Sequence, residues 1–206
     1  MDAIQSLPAI LLMALVAVAS PGPATLAIST TAMSQGARPA LRLASGVLTG
    51  SFTWSAAAAL GLSAVMLAHG WVIELVRYAG AAYLMWLAVK MARAAWRGAG
   101  PAGGIAPERH HYWRGLMLHL TNPKAIFFFG ALYAVVLTPG QSPLALLVVF
   151  LAIGAQSAVV FLGYALLFSR PGPVAVYARA ARAIQGISAV LFAGFSLKLL
   201  TARIGT

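Results

Sequence analysis

The stretch "ALVAVASPGPATLAIST", residues 14–30, is almost entirely small and apolar, yet Pro21, Gly22 and Pro23 stand at its centre. Because proline has no N–H, two carbonyls one turn earlier lose their helical partners. Glycine adds a backbone freedom that other residues lack. The pattern predicts two half-helices that meet inside an apolar layer, with Ser20 capping the second one. The alternative is a plain kink, which membrane helices tolerate.

The composition of the whole chain indicates that the apolar layer is a lipid bilayer. Of 206 residues, 61% are hydrophobic and 8% are charged, and the mean hydropathy is +0.88. Soluble domains carry about 25% charged residues. In lipid only helices or closed barrels satisfy the backbone, and the long continuous apolar runs lack the alternation of barrel strands. The sequence therefore predicts an all-α integral membrane protein.

The net charge of +11 and the absence of cysteine limit the functional classes. The cations cluster between apolar runs, where membrane topology explains them better than nucleic-acid binding. A chain without cysteine has no disulfide framework and no thiolate metal site. Residues before the first apolar run include Asp2 but no Lys or Arg, which argues against a cleaved signal peptide. We expect no metal, no cofactor and no nucleic-acid partner.

Six apolar segments approach or exceed the roughly 20 residues that a membrane-spanning helix needs. The first is broken at residues 21–23 and the fourth at Asn122-Pro123. The predicted spans are residues 4–35, 39–68, 71–92, 116–137, 143–168 and 184–201.

The cations of three connections predict the orientation of these spans, because short cytoplasmic loops are enriched in Lys and Arg. The cations between spans one and two, three and four, and five and six are Arg38 and Arg42; Lys90, Arg93, Arg97, Arg109 and Arg114; Arg170, Arg179 and Arg182. These connections, including the loop 97–113, are therefore predicted to be cytoplasmic. Both termini are then expected on the periplasmic side.

Three spans in each half place the two halves in opposite orientations, which is the geometry of an inverted repeat. The halves are residues 1–96 and 114–206, on either side of the loop. Ser20-Pro21-Gly22 and Asn122-Pro123-Lys124 occupy corresponding positions in them. Interrupted helices at corresponding positions of two halves point to a transporter binding site.

Lys124 lies in the second interruption, where Asn122 is the predicted cap and Pro123 the first helical residue. A cation at membrane depth costs at least ~2.5 kcal/mol and usually faces a cavity or a partner. The chain has three acids, all near ends or loops: Asp2, Glu74 and Glu108. Half-helix carbonyls or a substrate carboxylate are therefore the predicted partners. The alternative is a lysine that extends to the cytoplasmic interface.

His119 lies one turn before the second interruption. It is a candidate proton carrier because histidine titrates near neutral pH; alternatively it is bonded to a neighbouring helix. Thr25, Ser29 and Gln156 are candidates for contact with substrate along the pathway, or for packing and interhelical hydrogen bonds. The Gly-x-x-x-Gly pattern at 46–50 predicts close helix packing.

Taken together, these motifs resemble the lysine-exporter (LysE/RhtB) family of amino-acid efflux proteins over nearly the whole chain. The matching pieces are Ser20-Pro21-Gly22-Pro23, the turn at 36–38, Gly46 and Gly50, "YLMWLAVKMARAAW" from Tyr83, "RGLMLHLTNPKAIFFFG" from Arg114 and "FAGFSLKLL" from Phe192. The resemblance implies export of amino acids or close derivatives, driven by the proton gradient. It also implies a bacterial inner-membrane location and frequent self-association into homo-oligomers.

The chain departs from the family pattern at two positions. Members often carry an acidic or amide residue directly after Pro-Gly-Pro, where this chain has Ala24, and often have Asn where His119 stands. Ala24 removes an obvious carboxylate for binding an amine or carrying a proton.

The leading prediction is a secondary exporter rather than an enzyme. The predicted substrate-binding residues are Ser20, Pro21, Gly22, Pro23, Thr25, Asn122, Pro123 and Lys124. The alternatives are an exporter of another small polar solute, a membrane enzyme, or a channel. Three scattered acids cannot supply the clustered carboxylates of metal-assisted phosphoryl chemistry. The sequence contains no P-loop pattern for ATP and no visible pore motif.

Overall fold

The computed structural model describes residues 6–68, 70–97, 110–136 and 141–201, and every regular element within these ranges is a helix. This confirms the all-α prediction for the described residues. In chain order the helices are α1 (Leu7–Ala19), α2 (Pro23–Gln35), α3 (Ala37–Ala68), α4 (Gly70–Arg97), α5 (His111–Leu120), α6 (Pro123–Val136), α7 (Pro143–Leu167) and α8 (Pro171–Thr201).

Three helices, α3, α7 and α8, are long and apolar enough to cross a membrane. Helices α1 and α2 meet at an angle of 53° and would form a fourth span if they are taken together. Helix α6 contains a shorter apolar stretch, Pro123–Ala134. The described residues thus hold up to four spans by length and composition, and the six-span repeat stays a prediction.

The start of α8 differs from the prediction, which placed the last span at 184–201. The helix already begins at Pro171, so Arg179 and Arg182 lie inside it and not in a connection. Proline is compatible with the first turn of a helix, because the first N–H groups of a helix have no helical partner. The prediction took Pro171-Gly172-Pro173 as part of a connection and therefore set the boundary too late.

The predicted loop 97–113 is also shorter than expected. Helix α4 extends to Arg97, and α5 begins at His111. Tyr112 anchors the start of α5, because its hydroxyl donates to Thr49 Oγ1 of α3 at 3.1 Å. Residues 98–109 lie outside the described residues. So do the predicted connections at 69 and 138–140, and the side chains of the three acids.

Helices α3 and α5 run in the same direction and touch through glycine. A Cβ at Gly46 would overlap the Tyr112 carbonyl, and one at Gly115 would overlap the α3 backbone. A Cβ at Gly50 would lie 2.9 Å from the Cβ of His119. The predicted close packing at 46–50 is therefore confirmed, and it fixes the helix that carries His119.

Two apolar clusters meet where the first helix is broken. Helix α1 contributes Ile10 and Met13 to a cluster with α4, α6, α7 and α8. Helix α2 contributes Ile28 and Ala32 to a second cluster with α3 and the later part of α7. The break between α1 and α2 thus lies at the boundary of the two clusters, in the interior of the molecule.

Candidate functional site

The first break is stabilised by a threonine rather than by the predicted serine. Helix α1 ends where the Ser20 N–H donates to Val16 O at 2.9 Å, and Gly22 continues in an extended conformation (φ −166°, ψ 178°). Thr25 Oγ1 accepts the Gly22 N–H at 2.9 Å. The prediction that Ser20 caps α2 is therefore wrong, because the chain turns into α2 only at Gly22, two residues later.

The carbonyls that lose their helical partners to Pro21 and Pro23 both accept side-chain hydroxyls. Ser20 Oγ donates to Ala17 O at 3.2 Å. Tyr164 of α7 donates its hydroxyl to Ala19 O at 2.7 Å. Both carbonyls are therefore paired within the protein, as a low-dielectric interior requires.

The second break follows its prediction. Helix α5 ends where the Thr121 N–H donates to Met117 O at 2.9 Å. Asn122 Oδ1 then accepts the Lys124 N–H at 3.0 Å, and α6 begins at Pro123. Asn122 as cap and Pro123 as first helical residue are both confirmed.

Lys124 joins the two breaks. Its Nζ donates to Ser20 O at 3.0 Å and to Ser20 Oγ at 2.6 Å, and it lies 5.8 Å from the centre of the Phe192 ring. The side chain is 9% exposed. The ammonium therefore lies in the interior of the protein. The alternative interpretation, a lysine that extends to the interface, requires an ammonium at the surface.

A cavity opens beside this contact, and glycine permits the close approach. A Cβ at Gly22 would lie 3.2 Å from Lys124 Nζ. The cavity has a volume of about 30 Å³, which is room for a water molecule or two before the Lys124–Ser20 contact opens. The lining residues are Ala17, Val18, Gly22, Ala24, Thr25, Ser51, His119, Asn122, Lys124, Ala125, Phe128, Phe129 and Phe161.

His119 is hydrogen-bonded to a neighbouring helix, as one of its two interpretations predicts, and its role as a proton carrier stays a prediction. Its Nε2 lies 3.0 Å from Ser51 Oγ on α3, and its ring packs edge-on against Phe161, with centroids 5.9 Å apart. It also lines the cavity. Its Nδ1 is buried and has no hydrogen-bond partner within the described part of the chain.

The predicted site residues divide into three groups. Gly22, Thr25, Asn122, Lys124 and His119 line the cavity. Ser20 contacts the Lys124 ammonium, and the three prolines, Pro21, Pro23 and Pro123, shape the backbone. Ser29 and Gln156 are absent from the lining that the structure describes.

Ser29 and Gln156 both lie on helices that border the breaks. Ser29 Oγ donates to Thr25 O at 2.7 Å, one turn below the cavity. Gln156 is half-buried on α7, and its Oε1 has no partner among the described residues. Their role in a pathway stays a prediction.

The residues of the site that escaped the prediction include Ser51, Tyr164, Phe128 and Phe129. The phenylalanines follow the second break directly, so their position was a usable signal. Ser51 lies next to Gly50, where two helices approach closely, and Tyr164 is a hydroxyl in an apolar span that needs a partner. Neither partner could be named without the fold.

The chemistry available in the cavity is that of binding a small anion or polar solute. Among the lining residues that the structure describes, Lys124 alone carries a full charge. No group of three His, Cys, Asp or Glu in the described residues could hold a metal ion. Hydroxyl, amide and imidazole groups surround the ammonium, and phenylalanine rings form the apolar wall.

Comparison with known proteins places these features in a family. The family described as "LysE type translocator" matches residues 15–203. The threonine efflux protein of Escherichia coli strain K12 is 30% identical over 194 residues, which cover 92% of this chain and 94% of the relative.

Other relatives carry different names. The homoserine/homoserine lactone efflux protein of Salmonella typhimurium strain LT2 is 32% identical over 158 residues, covering 73% of this chain and 74% of the relative. The leucine efflux protein of Enterobacter sp. strain 638 is 36% identical over 114 residues, 53% of each chain. No solved structure matches the chain. The match over residues 15–203, together with the broken apolar helices, shows that this chain is a membrane protein of the LysE family of translocators.

Proposed function

We propose that the protein is a secondary transporter that exports amino acids or close derivatives across the bacterial inner membrane, driven by the proton gradient. Relatives named for efflux of threonine, leucine and homoserine support the substrate class. The observation that carries the proposal is the contact between Lys124 and Ser20, which joins the two helix breaks beside a cavity. Broken helices that face one another are typical of transporter binding sites.

The packing of the helices supports a 3+3 inverted repeat of six spans. Helix α3 of the first half packs against the broken α5 and α6, and α7 of the second half packs against the broken α1 and α2. Helix α4 packs against α8, its counterpart. Exchanging the two halves preserves this pattern, as expected for residues 1–96 and 114–206 related by a pseudo-two-fold axis.

In this scheme the substrate binds between the breaks. Its carboxylate takes the place of Ser20 at the Lys124 ammonium and faces the first-turn amides of α2, where helices favour negative charge. His119 carries the coupled proton from the wall of the same cavity. Rocking of one half against the other then exposes the substrate to the periplasm, where both termini lie, along a path that includes Ser29 and Gln156.

The test is an export assay in cells. Cells that express the protein are loaded with dipeptides of threonine, leucine or homoserine, and the released amino acids are quantified with and without an uncoupler. We expect uncoupler-sensitive release of at least one of these amino acids. Lys124→Ala should reduce that release to the level of cells without the protein, because the carboxylate loses its charged partner.

The matched control is Lys90→Ala, which removes an equal charge from an exposed side chain on α4. It should insert and export like the natural protein. Membrane quantities of all variants are compared by immunoblot. Equal export by the Lys124→Ala protein would remove Lys124 from the binding site, and no release across the panel would contradict amino-acid export.

A further inference from the structure

Among the described residues, those that line the cavity between the breaks include the Lys124 ammonium and no acidic side chain. Lys124 is buried, and its hydrogen bonds go to the two neutral oxygens of Ser20. None of the lining residues that the structure describes is acidic. A charge in a low-dielectric interior is stabilised mainly by a paired opposite charge.

The donors around Lys124 are suited to an anion. Thr25 lines the cavity at the first turn of α2. Leu26 is the first residue of that helix to donate back along it, to Gly22 O at 2.9 Å. The amides of Ala24 and Thr25 precede it, so they belong to the unpaired first turn of a helix. His119 contributes a buried Nδ1 without a partner among the described residues, and this atom donates to an anion when Nδ1 carries the proton.

A zwitterion and a monoanion therefore differ in this cavity. The carboxylate of either ligand compensates the Lys124 charge. A zwitterion also brings its own ammonium to within a few bonds of that carboxylate, so the occupied site keeps a net positive charge. A monoanion with a hydroxyl or an acylated nitrogen at the same position leaves the site neutral. The oxygens of Ser20 can accept a hydroxyl as well as an ammonium.

We infer that the cavity at Lys124 is a monocarboxylate site that does not require the substrate's ammonium, and that 2-hydroxy acids and N-acylated amino acids are transported in preference to the free amino acids. This inference rests on the proposed transport function and specifies its substrate class. Phe128, Phe129 and Phe161 line the rest of the cavity. An apolar substituent on the ligand is the expected complement to these rings.

The experiment uses the purified full-length protein in liposomes. Counterflow is measured at pH 7.5 with four radiolabelled probes: L-leucine, its 2-hydroxy analogue 2-hydroxy-4-methylpentanoate, N-acetyl-L-leucine, and L-leucinamide, which lacks the carboxylate. We expect the hydroxy acid and the N-acetyl derivative to be transported about tenfold better than leucine, which corresponds to about 1.4 kcal/mol. L-Leucinamide should not be transported.

Two variants test the role of charge in opposite directions. Lys124→Gln keeps a hydrogen-bonding side chain but removes the charge, and it should abolish the preference for the monoanions. Ala24→Asp places a carboxylate on the cavity wall, in the first turn of α2, where a negative charge favours the helix. It should shift the preference toward leucine by about tenfold or more. Liposomes without protein correct for diffusion of the uncharged forms.

The possible results separate this inference from the proposed function. Monoanion counterflow that exceeds leucine counterflow, and that reverses in the Ala24→Asp protein, would establish the inference. Leucine counterflow without hydroxy-acid or N-acetyl counterflow would overturn it and leave amino-acid export intact. If L-threonine, L-leucine and L-homoserine all fail to show counterflow while the monoanions succeed, amino-acid export fails and the monocarboxylate site stands. Failure of all probes would overturn both.

Discussion

At the scale of single residues, side-chain hydroxyls stabilise the backbone at the break between α1 and α2. Thr25 accepts the Gly22 N–H, and Tyr164 donates to Ala19 O. Ser20 serves both its own helix and the Lys124 ammonium. In an apolar interior each unpaired backbone group is unfavourable by several kcal/mol. Because these hydroxyls take the place of water as hydrogen-bond partners, the helix can break in the interior of the protein.

His119 is the residue whose proposed role can be separated from its structural one. In the His119→Asn protein the shorter side chain loses both the hydrogen bond that His119 Nε2 makes with Ser51 and the ability to take up a proton. We expect threonine or leucine counterflow in liposomes to continue, while accumulation driven by an imposed pH gradient is lost. Radiolabelled substrate measures both activities in one preparation.

The control for His119 is Ser51→Ala, which removes the hydrogen-bond partner and keeps the imidazole. That protein should still accumulate substrate in response to the pH gradient. Gradient-driven accumulation by the His119→Asn protein at the natural level would show that another group carries the proton.

Local signals predicted the second break better than the first. The Asn122 side chain caps α6 by accepting the Lys124 N–H, two residues later. Residues 122–124 are therefore enough to predict this cap. Ser20 looked equally suitable as a cap, but the extended Gly22 moves the helix start away from it. Tyr164 lies far along the chain from Ala19, and only the fold brings them together.

At the scale of elements, the same tripeptide produces two outcomes. Pro-Gly-Pro at 21–23 separates α1 from α2, whereas Pro-Gly-Pro at 171–173 opens α8. The first follows an uninterrupted apolar helix whose carbonyls need partners. The second follows the turn at Phe168–Arg170, where no helix is interrupted. The preceding residues therefore decide whether this tripeptide breaks a helix or begins one.

Replacing both prolines of the first break should straighten it. In the protein with Pro21→Ala and Pro23→Ala, two restored N–H groups can pair with Ala17 O and Ala19 O. We expect transport to fall below a tenth of the natural rate, and the 53° bend between α1 and α2 to open. Because the chain has no cysteine, spin labels attached at single introduced cysteines on each helix can measure this change.

The matched control for the first break replaces Pro171 and Pro173 by alanine. These prolines occupy the first turn of α8, so their loss creates no new helical pairing and transport should continue. Natural transport by the protein with the straightened first break would mean that the break is a structural kink without a role in binding.

The contact between α3 and α5 gives a prediction about stability. Gly46→Ala places a Cβ against the Tyr112 carbonyl, which belongs to the backbone and cannot move aside. Overpacking of this kind costs about 1–3 kcal/mol, so the midpoint of thermal unfolding in detergent should fall. Gly163→Ala on α7 meets nothing within 4 Å and should leave the midpoint unchanged or raise it. Equal midpoints for the two variants would contradict the close packing.

For the molecule as a whole, the apolar runs predicted the positions of the long helices better than they predicted every helix end. The predicted 39–68 and 143–168 differ from α3 and α7 by at most two residues, because long apolar runs can only be satisfied as helices in lipid. The start of α8 was missed, because Arg179 and Arg182 interrupt the apolar run and were assigned to a connection. The cavity is lined by residues from distant parts of the chain. A local sequence pattern does not predict contacts of this kind.

The orientation in the membrane can be tested with two single cysteines in the cysteine-free chain. Ser142 precedes α7 and Gly172 lies at the start of α8, and both are exposed. We expect a membrane-impermeant maleimide to label the Ser142→Cys protein in intact spheroplasts. The Gly172→Cys protein should be labelled only in inverted vesicles. The opposite result would place the termini in the cytoplasm.

In the proposed exporter, Ser20 competes with the substrate carboxylate for the Lys124 ammonium. A substrate carboxylate must displace an oxygen that is covalently part of the protein and is present at very high effective concentration. The apparent affinity for the substrate is then weaker than the intrinsic affinity of the ammonium for a carboxylate. It is reduced by the fraction of proteins in which the Lys124–Ser20 bond is broken. The same oxygen speeds departure, because it re-occupies the ammonium as the substrate leaves. For the proposed exporter, a weaker apparent affinity means that export becomes fast only at high cytoplasmic concentrations of the substrate.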